Sequence, residues 1–203
     1  MHLQNRKHII IKKIILFIVL ILAFTNAKEL GKSINKIRAK ISAPAKKTFV
    51  TPFLQKDFVG FKEAVAFKES QGKYTIVNTL GYLGKYQFGR ATLKRFKIYN
   101  THQFLKNPAL QERAFAAYCS VNKWILRKDI RRSVGKIING IKITESGILA
   151  AAHLSGAGNV KKFLRSNGSI KFSDAYGTTV SFYLKEFGGY DVSIVKANRK
   201  ATV

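Results

Sequence analysis

Past residue 52 the chain contains a single proline, Pro108, and it stands directly after Asn107. Asparagine suits a helix N-cap, and proline suits the first turn, where no backbone N–H is needed. Leu110, Ala114, Ala117, Tyr118, Val121, Trp124 and Ile125 then follow at steps compatible with one helical band, with no glycine or proline between them. The pair therefore predicts the start of a long helix, with Trp124 in the core. Cys119 falls inside that helix and reads as an inert buried thiol. It is the only cysteine, which excludes an intramolecular disulfide framework and a Cys-rich zinc site. Two of the four histidines stand in the first ten residues, so no metal cluster is expected.

Other elements follow from the same signals. Phe58, Phe61, Val65 and Lys68/Glu69 share one helix face within 56–70. Residues 71–90 carry Gly72, Asn78, Gly81, Gly84 and Gly89 among tyrosines and read as a loop or short hairpin. Thr144 can cap a helix running through Ile148, Leu149 and Ala152 to Gly156. Ser173 or Asp174 can open a last segment through Val180, Tyr183 and Leu184, ending at Gly188-Gly189. No 20–50 residue repeat is visible. The expected fold is mainly α: a helical domain with one Gly/Tyr-rich loop or hairpin after its first helix.

The N-terminus has a different character. Arg6, Lys7, Lys12 and Lys13 precede an apolar run from Ile14 to Phe24, followed by Thr25-Asn26-Ala27. This is the pattern of a secretory signal peptide. As a helix the run spans about 16 Å, short of a bilayer core of about 30 Å, which argues against a retained anchor. Residues 1–27 are thus expected to be a cleaved signal, placing the protein in the periplasm, the cell envelope or outside the cell. Residues 28–52 hold seven basic residues, one acid, Pro44 and Pro52, and read as a basic tether. A domain over 53–190 and a tail over 191–203 complete the expected organisation.

The chain carries 37 basic residues against 10 acidic ones, a formal net charge of +27. With 46% hydrophobic residues it is no disordered polycation. Lysine outnumbers arginine 27 to 10, a balance that favours diffuse attraction over base readout. Export makes nucleic acid a poor partner, and an anionic envelope surface a better one. Residues 1–27 hold 4 of the basic residues and 28–52 hold 7, leaving 26 against nine acids from Phe53 onward.

Scarce acids can be weighed singly. Asp57, Glu145 and Asp174 stand where helix starts favour negative charge. Glu112 lies early in the long helix and suits pairing with basic neighbours. Glu69 ends the apolar run Ala64–Phe67 at the junction with the Gly/Tyr-rich loop. A carboxyl there can be half buried against aromatic rings, an environment that favours the neutral acid.

Three segments then occur in order: Glu69-Ser70; Gly81-Tyr82-Leu83-Gly84-Lys85-Tyr86-Gln87-Phe88-Gly89; and Ala151-Ala152-His153-Leu154-Ser155-Gly156-Ala157-Gly158-Asn159-Val160. Over about residues 56–190 the set resembles the lysozyme-like lytic transglycosylases of the soluble-lytic type. That family closes a helix with a catalytic Glu-Ser, follows it with Gly-x-x-Gly-Leu-Met-Gln, and carries Ala-Ala-Tyr-Asn-Ala-Gly on a later helix. The resemblance implies a lysozyme-like α+β fold and Glu69 as the catalytic residue. It also implies substrate contacts from Ser70, Tyr86, Gln87, His153, Gly156 and Tyr183; by its residue type alone Gln87 can equally bond the backbone, and His153 on an Ala-rich helix can be a satisfied core histidine. Lys85-Tyr86 stands where the family has Leu-Met, and His153-Leu154 where it has Tyr-Asn, so the Asn amide is missing.

Peptidoglycan glycan strands are the substrate so implied, with no cofactor or metal. Most glycoside hydrolases use two carboxyls flanking the bond. The next acid after Glu69 is Glu112, and Glu63 lies about 240° around the helix. A lone carboxyl suits a lytic transglycosylase, in which Glu69 is acid and then base and a 1,6-anhydro ring closes without water. Three alternatives stay open. One is a lysozyme-type hydrolase using Asp174 or Glu186 to activate water. Another is a non-catalytic peptidoglycan-binding protein on the same scaffold. The third is a membrane-surface protein acting through its basic arm. Tyr74, Tyr82, Tyr86 and Phe88 can form a sugar-stacking wall or simply pack the loop.

Overall fold

A computed structural model describes residues 55–203. The expected signal peptide, the tether and the domain start at Phe53 lie outside the described residues. Six helices and one two-stranded sheet make up the described chain, which is mainly helical as the sequence implied. Helix α1 (Phe58–Ser70) opens at Asp57, whose carboxylate accepts from the Gly60 N–H at 2.8 Å. It closes at Gln71, which adopts a left-handed φ of 57°. Two short helices absent from the sequence reading follow the loop, α2 (Arg90–Arg95) and α3 (Thr101–Leu105). At about one and a half turns each, they are too short for a 3.6-residue periodicity to register.

Helix α4 (Pro108–Ser133) begins as Asn107-Pro108 predicts, with the Asn107 side chain accepting from the Leu110 N–H at 2.9 Å. Ala114, Phe115, Val121 and Leu126 on this helix are buried in the core, and burial pushes the Cys119 thiol pKa up. Trp124 is not a core residue: it is half-buried, with the Arg127 and Arg199 guanidiniums 4.1 and 5.2 Å from its ring centroid. A hairpin of β1 (Ile137–Ile138) and β2 (Ile141–Lys142) turns through Asn139-Gly140, both at positive φ. That is the dipeptide preferred by tight hairpin turns.

Helix α5 (Glu145–Arg165) is capped by Thr144, whose hydroxyl oxygen accepts from the Gly147 N–H at 3.1 Å. It does not stop at Gly156. The chain breaks there (φ 78°, ψ 151°) and the helix resumes, while the Asn159 side chain donates to the Ser155 carbonyl at 3.0 Å. A glycine at such a φ reads from sequence as a terminus, and only packing on both sides of the break carries the helix on. Helix α6 (Val180–Glu186) is capped by Thr179 rather than by Ser173 or Asp174. The Asp174 carboxylate instead accepts from the Tyr176 and Thr178 N–H groups, holding a turn. Gly147 admits α6: a Cβ there would lie 2.6 Å from the Leu184 carbonyl oxygen.

The expected tail, 191–203, belongs to the folded unit. Val192 and Val195 are buried, and the Asn198 N–H donates to the Ser120 carbonyl at 3.0 Å. Two buried valines three residues apart in a short irregular segment carry no periodic signal, which hid this packing.

A polar cluster joins the loop to α1 and α4. Lys85, 4% exposed, donates to Glu63 at 2.6 Å, to Glu112 at 2.8 Å and to the Tyr74 hydroxyl oxygen at 3.2 Å. Lys62 and the Tyr86 hydroxyl also donate to Glu112, at 2.6 and 2.9 Å. Burial pushes the Glu112 carboxyl up, but the donors Lys62, Lys85 and Tyr86 outweigh it and bring it from 4.5 down to about 2. A carboxyl whose pKa is lowered on folding stabilises the fold above its unfolded value. That contribution is therefore complete above about pH 5 and is lost as pH falls from 4.5 toward 2. Urea unfolding across this range should show stability declining in wild type, with a clearly shallower decline in Glu112→Gln.

Candidate active site

Glu69 is the penultimate residue of α1, and its side chain is 16% exposed. The Tyr183 hydroxyl, from α6, donates to its Oε1 at 2.7 Å. Burial, and then the adjacent Glu69 carboxylate, push the Tyr183 phenol far up, so it remains a donor across the accessible pH range. His153 Nε2, from α5, lies 3.9 Å from the same oxygen. Among the described residues nothing bonds Glu69 Oε2, which leaves that atom for a ligand.

The carboxyl lines an open cleft together with Gln87, His153 and Asp174. Gln87 sits at a φ of 49° and donates from Nε2 to the Gly84 carbonyl at 2.8 Å, which fixes the amide plane. Gly84 has its own requirement: a Cβ would collide with the Gln111 side chain. That buried amide accepts from the Lys85 N–H and donates to the Phe104 carbonyl. His153 is edge-on to Phe88, Phe115 and Tyr118 and shares a 2.7 Å hydrogen bond with the Tyr86 carbonyl. A carbonyl only accepts, so Nε2 carries the proton. The His153 ring thus ties α5 to the segment that presents Gln87.

Glu69, Gln87 and His153, expected at the site, are brought together, and Tyr183 reaches Glu69 from behind. Ser70, Tyr86 and Gly156 do not line the cleft. Ser70 is buried and fully engaged: its hydroxyl donates to the Lys85 carbonyl at 2.7 Å and accepts from the Lys73 N–H at 3.0 Å. Tyr86 is stacked on Phe115 at 4.1 Å with its hydroxyl on Glu112. Gly156 supplies the break in α5. These three residues set the position of the cleft walls. Phe88 is buried and Tyr74 bonds Glu112, so of the four aromatic residues considered for a stacking wall only Tyr82, 41% exposed, lines the cleft.

Two further lining residues, Leu80 and Tyr176, carried no sequence signal. Both expose apolar surface, and the Tyr176 hydroxyl meets Thr79 Oγ1 at 2.8 Å, closing a contact across 97 residues. Leu154 lines the cleft where the resembling family has Asn. Asn78 also lines it, with Oδ1 held by the Leu80 and Tyr82 N–H groups and its NH₂ without a partner among the described residues. The Asx turn at Asn78 was legible as a turn but not as a cleft wall. Asp174 supplies a second carboxylate to the cleft, whereas Glu186 is exposed on α6 outside it. Among the described residues no group of three His, Cys, Asp or Glu could hold a metal ion.

Ser70→Ala should lower the unfolding free energy by about 1–2 kcal/mol, since it leaves a buried carbonyl unpaired. Denaturant titration with unchanged slope would show this; an unchanged midpoint would return Ser70 to a surface role. Compared with protein-family models, curated proteins and solved structures, the chain matches none.

Proposed function

We propose that this protein is a lysozyme-like lytic transglycosylase that cleaves peptidoglycan glycan strands. What supports the reading is a single arrangement: three motifs spread from Glu69 to His153 converge on one cleft, and Glu69 stands in it with a tyrosine hydroxyl behind. Protonated Glu69 donates to the glycosidic oxygen between N-acetylmuramic acid and N-acetylglucosamine as the bond to the muramic C1 breaks. The resulting carboxylate takes the proton of the muramic 6-hydroxyl, whose oxygen closes on C1 as a 1,6-anhydro ring. Tyr183 fixes the carboxyl through Oε1 and leaves Oε2 for the substrate. Gln87 and the Asn78 NH₂ are suited to the acetamido groups, and Tyr82 and Tyr176 to sugar faces. The substrate's N-acetyl group stabilises the intermediate, as the resemblance implies. The export expected from residues 1–27 and a surplus of basic residues fit an anionic, carboxylate-bearing polymer.

A second reading is favoured by one observation: Asp174 lines the same cleft. If Asp174 activates water opposite Glu69, the products carry reducing ends. Glu69→Gln should abolish release of soluble fragments from purified peptidoglycan, a loss of about 10²- to 10⁴-fold. Mass analysis of the wild-type products should find anhydro-muropeptides; reducing ends would give the hydrolase instead. Asp174→Asn keeps both backbone acceptor bonds, and should leave turnover within about threefold for a transglycosylase. A fall of about 100-fold would mark a base. No fragments from wild type, with binding to peptidoglycan retained, would leave a binding protein on this scaffold.

A further inference from the structure

The ends of α4 and α5 hold an arrangement that the cleft does not use. Asp129 has a side chain only 2% exposed, between the two helices. Its Oδ1 accepts from Arg132 Nη2 at 2.6 Å and from Arg165 Nε at 2.9 Å, and its Oδ2 accepts from Arg165 Nη2 at 3.3 Å. The two guanidiniums therefore meet at one oxygen atom. Both side chains remain more than half exposed, at 59% and 57%, and their other N–H groups have no acceptor among the described residues.

Two forks held by one buried carboxylate carry one net positive charge and have lost their rotamer freedom before any ligand arrives. Lys128, Arg131 and Lys162 are exposed within one turn of them. The remaining acid between Asp129 and Asp174, Glu145, pairs with Lys123 at 2.6 Å. Helix C-termini attract basic residues generally, but that attraction does not bring two half-exposed arginines onto one buried acid.

We infer that Arg132 and Arg165, aligned by Asp129, form a binding site for a phosphate group. A phosphate spreads its acceptor oxygens tetrahedrally toward two planar forks, and free phosphate also carries more charge than a carboxylate. The phosphate can come from a lipid headgroup or be free in solution. The adjoining hairpin bears on this: Asn139 donates to the Gly168 carbonyl at 3.1 Å, which sets the hairpin beside the end of α5, and Val134 and Ile137 stand 47% and 72% exposed. Apolar side chains next to a phosphate site suit a lipid.

The site is independent of the cleft chemistry, and its test reads neither turnover nor peptidoglycan. The full chain is titrated with inorganic phosphate, and separately with monomeric dihexanoyl phosphatidylglycerol, following the Arg132 and Arg165 side-chain N–H resonances by NMR. Saturable shifts at about millimolar concentration or below are expected at those two arginines. They should weaken about tenfold in Arg165→Lys, which keeps the charge and loses the fork. Lys128→Gln/Arg131→Gln, which touches no hydrogen bond, should weaken binding severalfold with an unchanged melting temperature. Tighter binding of the lipid, with the advantage lost in Ile137→Ser, identifies a headgroup site; equal binding identifies a free-phosphate site. Resonances that stay fixed with both probes, or shifts equal in Arg165→Lys and wild type, would overturn the inference.

Discussion

Lys85 is a charged side chain almost wholly withdrawn from water. Removing an ammonium from water costs several kcal/mol unless partners replace its hydration. Here Glu63, Glu112 and Tyr74 do so, and they come from α1, α4 and the loop itself. The loop therefore cannot leave this position without exposing or unpairing a lysine. Its neighbours use that constraint: Tyr86 stacks on Phe115, Ser70 accepts Lys73 and ties α1 to the Lys85 carbonyl, and Gln87 turns into the cleft.

A second constraint is how closely α5 can approach. Gly147 lets the Leu184 carbonyl of α6 approach, and the buried Ala150, Ala151 and Ala152 keep the next turn narrow. His153 then bonds the Tyr86 carbonyl within an aromatic surround, while α6 delivers the Tyr183 hydroxyl to Glu69. The carboxyl is thus oriented by one helix and framed by another, with the loop held by buried charges. Rigid elements carrying the carboxyl, with the loops supplying the walls, form an arrangement that can fix it closely enough for proton transfer.

The starts of α1, α4 and α5 were legible because each cap is local and precedes a long apolar period: Asp57, Asn107 and Thr144 each bond an N–H three residues on. Glu69 was legible because acids are scarce and the motif order is unusual. Trp124, the continuation of α5 past Gly156, and the packing of residues 191–203 were not, because each depends on a neighbour distant in sequence. The same holds for Ser70 and Tyr86, which lie inside recognisable motifs. Motif membership says that a residue belongs near the site, but not whether its hydroxyl faces the cleft or the scaffold.

By itself the sequence determined a mainly helical domain, the loop after α1, and Glu69 as the carboxyl to watch. These rest on cap chemistry, on periodicity and on composition, all of which act over a few residues. Only the tertiary structure decided that Asp174 and Asn78 share the cleft with Glu69, and that the buried Lys85 pairs with a half-buried Glu112. It alone put Asp129 between two arginines. Each of these is a meeting of side chains whose separation along the chain carries no signal. Their energies depend on burial, which exists only once the helices have packed.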